Sequence, residues 1–248
     1  MAFKTIFVGG KGMKEHSFEW NGHILTVYEP EIKAKGCPWV WRTEFLNAFD
    51  YADRELLRKG WHIAYYKVSD MFGCNESTEL LKKFHDYVIS EFSLNPKADI
   101  FGFSRGGLYA FNYAVKYPED VSTLYLDAPV LDIRSWPAGY GKGEGSPRDW
   151  EMCKMHYGLT EETAKNFDMN PVDRIDLLLK TGIPVILVAG DADTVVPYDE
   201  NGKYLESYFR ENGGKIKVII KNGVGHHPHS LENPEEIVKF ISEYRNIG

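Results

Sequence analysis

A serine at position 104 stands between glycines two residues away on either side, in Gly102-Phe103-Ser104-Arg105-Gly106. An apolar, strand-like run at 98–101 precedes it, and 107–115 reads as a helix. A chain that leaves a strand, turns sharply and enters a helix exposes the residue at the apex, here Ser104. The turn is strained, and side chains beside it would collide with the neighbouring strand and helix, so glycine belongs there. The helix N-terminus behind Ser104 offers free N–H groups and a positive dipole end to a developing oxyanion. The five-residue pattern arises often by chance, and a plain Gly/Ser turn would also fit it. The strand before, the helix after and the extra Gly107 favour a nucleophile elbow.

A serine hydroxyl attacks poorly until a base takes its proton, so a histidine and a carboxylate are needed downstream. The continuous apolar run 183–189 reads as a strand buried on both faces and ends in Gly190-Asp191-Ala192-Asp193-Thr194-Val195-Val196-Pro197. A second strand at 215–220 is followed by Gly223-Val224-Gly225-His226-His227-Pro228-His229. Serine, then aspartate, then histidine, each just after a strand, is a known chain order for one triad arrangement.

On GFSRGG, GDADTVVP and GVGHHPH the chain resembles the α/β-hydrolase superfamily, over nearly its whole length. The resemblance implies a mostly parallel, doubly wound sheet with an N-terminal antiparallel hairpin, and a serine triad. The family pattern sets the acid three residues after the glycine and four before the proline, which selects Asp193. Asp191 then caps the turn. Asp127, at the end of the 122–127 strand, is the alternative, because some members carry the acid one strand earlier. His226 takes the catalytic place after Gly-x-Gly. His227 and His229 beside it suggest a metal cluster, but no carboxylate or cysteine lies at ligand spacing and a serine triad needs no metal. The expectation is no metal and no cofactor.

The surrounding elements agree. Asn21-Gly22 joins strands at 15–20 and 23–28 as a hairpin. Residues 42–59 carry apolar side chains at helical spacing, with Gly60 as the stop. A strand at 61–68, a helix at 76–92 and a final helix at 234–245 complete the alternation. Residues 131–176 break it with a glycine-rich stretch, where family members commonly insert a cap that shapes the pocket. The domain expectation is therefore one α/β-hydrolase domain over 1–248 with a cap-like insertion at about 131–176.

An oxyanion hole needs two backbone donors. One is Arg105, directly after the serine. For the other the sequence lacks the family's His-Gly pattern and has Lys35-Gly36-Cys37-Pro38-Trp39-Val40-Trp41-Arg42, read as a loop, with Trp41 as the donor. Trp39, Arg42 and Trp136 are candidate substrate contacts, as a floor for a sugar ring or an aromatic acyl group. Packing of Trp39 or Trp41 onto the core is the competing reading. Arg105 could bind substrate or brace the elbow against an acid such as Asp127. Together with 59–66 and 127–137, the Pro-Trp-Val-Trp-Arg segment resembles bacterial carbohydrate-esterase-like members, which implies short-chain acyl, acetyl-like esters on carbohydrate. A peptidase, lactonase or C–C hydrolase uses the same triad, and a non-catalytic receptor shares the fold.

The 248 residues carry a net charge of −7 with Lys and Arg scattered, which argues against a nucleic-acid partner. Three cysteines at unrelated spacings argue against a disulfide framework. Residues 1–10 show no secretion-signal pattern and no run reaches membrane-spanning length. The expectation is a cytoplasmic protein without membrane partners, acting on a small-molecule or oligosaccharide ester. A signal removed before expression and homo-oligomerisation both stay open.

Overall fold

A computed structural model describes residues 3–8 and 11–245, so the 1–10 segment read above lies partly outside the described residues. Strands β1 (Phe3–Val8), β2 (Lys11–Trp20) and β3 (His23–Pro30) open the chain. Asn21 and Gly22 both have positive φ, at 47° and 80°, so the two-residue turn matches the strand twist and sets Trp20 opposite His23. There follow β4 (Trp39–Arg42), α1 (Tyr51–Arg58), β5 (His62–Tyr66) and α2 (Asn75–Glu91). Next come β6 (Ala98–Phe103), α3 (Gly106–Lys116) and β7 (Val121–Asp127). Helices α4 (Pro147–Tyr157), α5 (Glu161–Lys165) and α6 (Ile175–Thr181) precede β8 (Val185–Gly190). The chain closes with α7 (Gly202–Glu211), β9 (Ile216–Lys221) and α8 (Glu235–Arg245).

The strands form one sheet in the order β1-β2-β3-β5-β4-β6-β7-β8-β9. Pairing is antiparallel from β1 through β3 to β5 and parallel from β5 to β9. This is the doubly wound, mostly parallel α/β-hydrolase sheet expected from the motifs, with β1 as an additional strand that the pattern did not announce.

Alternation along the central strands separates two cores. Trp39, Trp41, Ala64, Tyr66 and Ile100 face one way, with Phe84 of α2 and Tyr113 of α3. Val40, Ile63, Phe101 and Phe103 face the other, with Leu56 of α1 and Ile237 of α8. Both faces are covered, so these strands read as apolar on consecutive residues.

The 42–59 helix expectation is corrected here. Residues 39–42 form a buried strand, and the helix begins only at Tyr51. Between them Phe45, Asn47 and Phe49 have φ of 55°, 69° and 49°, which no helix tolerates. Thr43 Oγ1 donates towards the carbonyls of Phe101 and Gly106, both at 3.0 Å, and Arg42 Nη2 donates to Ala48 O. These bonds tie the segment to the elbow and spend its polar groups on tertiary contacts.

His62 in β5 is fully buried with neither ring nitrogen hydrogen-bonded, and burial lowers its pKa to about 4 from 6.5. The unfolded chain takes up this proton at pH values where the native protein does not. His62 is therefore harmless above about pH 6.5 and removes about 2 kcal/mol of stability as pH falls to about 4.5. In His62→Phe the loss of stability between pH 7 and 4.5, measured by urea unfolding, should shrink by about that amount. An unchanged pH slope would refute the assignment.

Candidate active site

Three loops leave the C-terminal ends of β6, β8 and β9 on the same edge of the sheet, where open α/β sheets place their ligands. Ser104 follows β6 with φ at 49°, a strained value for a residue with a side chain. The surrounding packing imposes it. A Cβ on Gly102 would come within 2.8 Å of Ala110 Cβ, and one on Gly106 within 2.8 Å of Thr43 Oγ1. The Ser104 N–H donates to Asp127 O, and the Ser104 carbonyl accepts from Val130 N. With its backbone held by neighbouring segments, the side chain is left free at the apex.

Ser104 Oγ lies 2.9 Å from His226 Nε2, and His226 Nδ1 lies 2.7 Å from Asp193 Oδ2. The other carboxylate oxygen of Asp193 accepts from the N–H groups of Val195 and Val196, at 2.9 and 2.8 Å. This fixes the acid in one orientation behind the ring. Asp191 does not cap its own turn as expected. Its Oδ1 accepts from Gly223 N at 2.6 Å and so ties the aspartate loop to the histidine loop. An imidazole bridging hydroxyl and carboxylate in this way can take the serine proton and hold the resulting charge against the acid.

Asp127, the alternative acid, belongs to a different pair. It is fully buried, with Oδ1 at 2.8 Å from His229 Nδ1, and Oδ2 accepting from Tyr125 OH at 2.7 Å and Ser230 N at 2.8 Å. Nor does it brace Arg105. That guanidinium donates to Asp70 at 2.7 Å and lies 3.6 Å from the buried Glu44 and 3.7 Å from Asp149 of α4. Burial raises the Glu44 carboxyl above the usual carboxylate range, with Arg105 opposing the shift.

Three residues assigned from sequence to the substrate or the oxyanion sit elsewhere. Trp39 is fully buried in β4, stacks on Trp41 and donates its Nε1 to Asn95 O. Trp41 is buried beside Phe84 and Tyr113, and its backbone lies in the ladder between β5 and β6. Arg42 is also fully buried. It forms a two-point pair with Asp53 at 2.7 and 2.9 Å and lies 3.9 Å over the Phe103 ring. Removing one partner of such a buried pair typically costs about 3–5 kcal/mol. Arg42 therefore anchors the loop that follows it and does not contact substrate. Trp136 is half-buried, 6.2 Å from Phe72.

The residue that the sequence reasoning missed is Phe45. It follows the end of β4 by three positions and lines a cavity of about 170 Å³ with Ala48, Phe49, Phe103, Ser104 and His229. The signal was available: reading 39–42 as a strand would have moved the oxyanion loop to 43–45. Arg105 immediately precedes α3, and Gly107 N and Leu108 N in its first turn bond back to the carbonyls of Ser104 and Arg105.

In the 131–176 segment, Trp150, Cys153, Ala164 and Ile133 pack with Phe72, Leu108 and Val196. Asn201 Oδ1 accepts from Leu131 N and Asp132 N, and Asn170 Oδ1 accepts from Ile133 N. The segment is thus tied internally by Asn170 and held to the loop after β8 by Asn201 and by the bond from Glu144 N to Thr194 O, as well as by apolar contacts. Among the described residues no helix is long and apolar enough to cross a membrane.

Solved structures of several hydrolases share this fold. An S-formylglutathione hydrolase from Agrobacterium tumefaciens superposes with a TM-score of 0.62 at 15% identity, covering 99% of this chain and 98% of that one. An α/β hydrolase from the metagenome of Mar Chica lagoon sediments gives 0.59 at 16% identity, over 93% and 98%. A puromycin-hydrolysing peptidase from Mycobacterium tuberculosis gives 0.68 at 14% identity, but this chain spans only 38% of it. No curated protein sequence matches the chain. The model of the prolyl oligopeptidase family matches residues 65–246, well over half of the sequence, so the chain belongs to that family and is a serine hydrolase of the α/β-hydrolase superfamily.

Proposed function

We propose that the protein is a serine esterase that cleaves short-chain carboxylic esters through an acyl-enzyme. The observation that carries this reading is the unbroken chain of bonds from Ser104 Oγ through His226 to Asp193, at 2.9 and 2.7 Å. In this mechanism Ser104 attacks the ester carbonyl, and His226 takes its proton and returns it to the leaving alkoxide. Asp193 holds the Nδ1–H tautomer and stabilises the imidazolium. Water then repeats the sequence on the acyl-enzyme. The N–H groups of Arg105 and Phe45 are assigned to the oxyanion, with Phe45 replacing Trp41.

The acyl group goes to the cavity of Phe45, Ala48, Phe49 and Phe103. Its volume of about 170 Å³ suits a short chain, well below the size of pockets that take drug-sized ligands. A carbohydrate alcohol has narrower support now that Trp39, Trp41 and Arg42 are interior. It rests on Trp136 and on a polar-aromatic groove that includes Asp132, Arg134, Tyr140 and Tyr204, suited to hydroxyls and to a sugar's apolar face. The 131–176 segment acts as the cap that presents Trp136, Asp132, Arg134 and Tyr140, with Tyr204 added from α7.

On p-nitrophenyl esters, kcat/KM should be highest from acetate to butyrate and at least about tenfold lower for octanoate, with no increase in a lipid emulsion. Trp136→Ala should raise KM on an acetylated oligosaccharide and leave p-nitrophenyl acetate unaffected. Efficiency that climbs to octanoate and grows in emulsion would replace this reading with a lipase. Faster cleavage of an aminoacyl amide would replace it with a peptidase, the second reading, which family membership favours.

A further inference from the structure

The histidine loop carries more imidazole than a triad uses. His226, His227 and His229 converge, and one ring nitrogen from each lies within 4.8 Å of the others. The rings meet edge to face in pairs, at interplanar angles of 66° to 89°, with centroids 4.8 to 5.0 Å apart. Two of the three are oriented from behind by carboxylates: Asp193 on His226 Nδ1 and Asp127 on His229 Nδ1. A carboxylate on Nδ1 sets the tautomer with the proton on that nitrogen and leaves a lone pair at Nε2. The same carboxylate–imidazole pairing orients histidines that bind zinc. The third ring, His227, is exposed and stacks on Phe49 with ring centroids 5.6 Å apart.

We propose that His226, His227 and His229 form a binding site for a late transition-metal ion such as Zn²⁺, and that filling it shuts the active site. Three neutral imidazoles suit zinc in a tetrahedron closed by water, with Zn–N bonds of about 2.0–2.1 Å. That geometry brings the nitrogens to about 3.3 Å from one another, so the rings close in from separations of up to 4.8 Å, with the exposed His227 the least held by hydrogen bonds. The metal takes the Nε2 lone pair of His226, the same pair that accepts the Ser104 proton. Coordination and general-base action therefore exclude each other. Zinc is an inhibitor here and not a cofactor, so activity survives chelation and is lowered by added metal. A hard ion such as Mg²⁺, which prefers oxygen ligands, has no purchase on this donor set. The inhibitory half of the proposal rests on the esterase reading; the binding half does not.

Binding is tested on the full chain carrying Ser104→Ala, by competition with a chromophoric zinc indicator. One equivalent of zinc should bind, and adding His227→Ala should weaken it at least about tenfold, the scale on which even the partners of zinc ligands matter. In the unmodified enzyme, zinc should inhibit hydrolysis of p-nitrophenyl acetate, EDTA should restore it and Mg²⁺ should do nothing. His227→Ala, compared with its own metal-free rate, should need at least about tenfold more zinc for half-inhibition. No stoichiometric binding to the Ser104→Ala chain, or binding that ignores His227→Ala, would overturn the site. Zinc binding without inhibition would overturn the shut-off. A chain that binds zinc but hydrolyses none of the esters would instead count against the esterase reading.

Discussion

Ser104→Ala should lower ester turnover by about three orders of magnitude or more while leaving the fold intact. The hydroxyl is the only part of Ser104 that reaches His226, at 2.9 Å. The backbone that holds the elbow, Ser104 N to Asp127 O and Val130 N to Ser104 O, is untouched by the substitution. Alanine accepts the positive φ about as well as serine does, so the strain is not increased. What disappears is the nucleophile. Residual rate then comes from oriented water and the oxyanion donors alone. Both kcat on p-nitrophenyl acetate and the urea unfolding curve should be measured. More than a tenth of the original activity in a folded variant would exclude Ser104 as the nucleophile.

The features legible in the sequence are those set by local sterics. The glycines of GFSRGG were readable because a strand-turn-helix elbow folds back on itself: a Cβ at Gly102 collides with Ala110 Cβ at 2.8 Å and Gly106 O at 2.9 Å, both within the same unit, although the Gly106 contact with Thr43 comes from a distant segment. The Asn-Gly hairpin was readable for the same reason, since its two positive φ values belong to its own two residues. The strand ends before Asp193 and His226 carried their own apolar runs. Where glycine and strand signals coincide, the chain's local choices and its global fold agree.

The misreadings concern groups whose partners are distant in the chain. In Trp39-Val40-Trp41-Arg42, a charged residue after a Gly-Cys-Pro start argued for a surface loop. Arg42 is interior because Asp53, eleven positions away on a helix not yet formed, neutralises it. Trp39 and Trp41 share a face of the strand with a period of two, but four residues are too few to separate that period from chance. Misplacing this strand displaced everything that depended on it: the sugar platform, the start of α1 and the second oxyanion donor. The pairing of His229 with Asp127 had no local signature either, since 102 positions separate them. The grouping of His226, His227 and His229 was visible in the sequence as a suggested cluster, but the carboxylates that orient two of the rings come from distant strands.

The two aspartates offer the sharpest test of this division between chemistry and architecture. Asp193→Asn should keep its stability, because an amide oxygen still accepts from Val195 and Val196 N–H as the carboxylate does. It should lose turnover by about 10³–10⁴-fold, since a neutral amide neither stabilises the imidazolium nor enforces the tautomer that leaves Nε2 open to Ser104. Asp127→Asn should do the reverse. That carboxylate is fully buried and meets Tyr125, His229 and Ser230 at once. An amide keeps Tyr125 OH and Ser230 N on its oxygen only by turning its NH₂ to His229 Nδ1, which forces that buried ring into the other tautomer and removes the charge that strengthened all three bonds, so about 1–3 kcal/mol of stability should go. Turnover of the molecules still folded should stay within about tenfold, because Asp127 does not touch His226 and the bonds from Asp193 remain. Measuring kcat and the urea midpoint for both variants separates the roles. If Asp127→Asn is the folded but inactive variant, and Asp193→Asn turns over normally, then the working acid lies one strand earlier. The base would then be His229, with its carboxylate already in place at 2.8 Å.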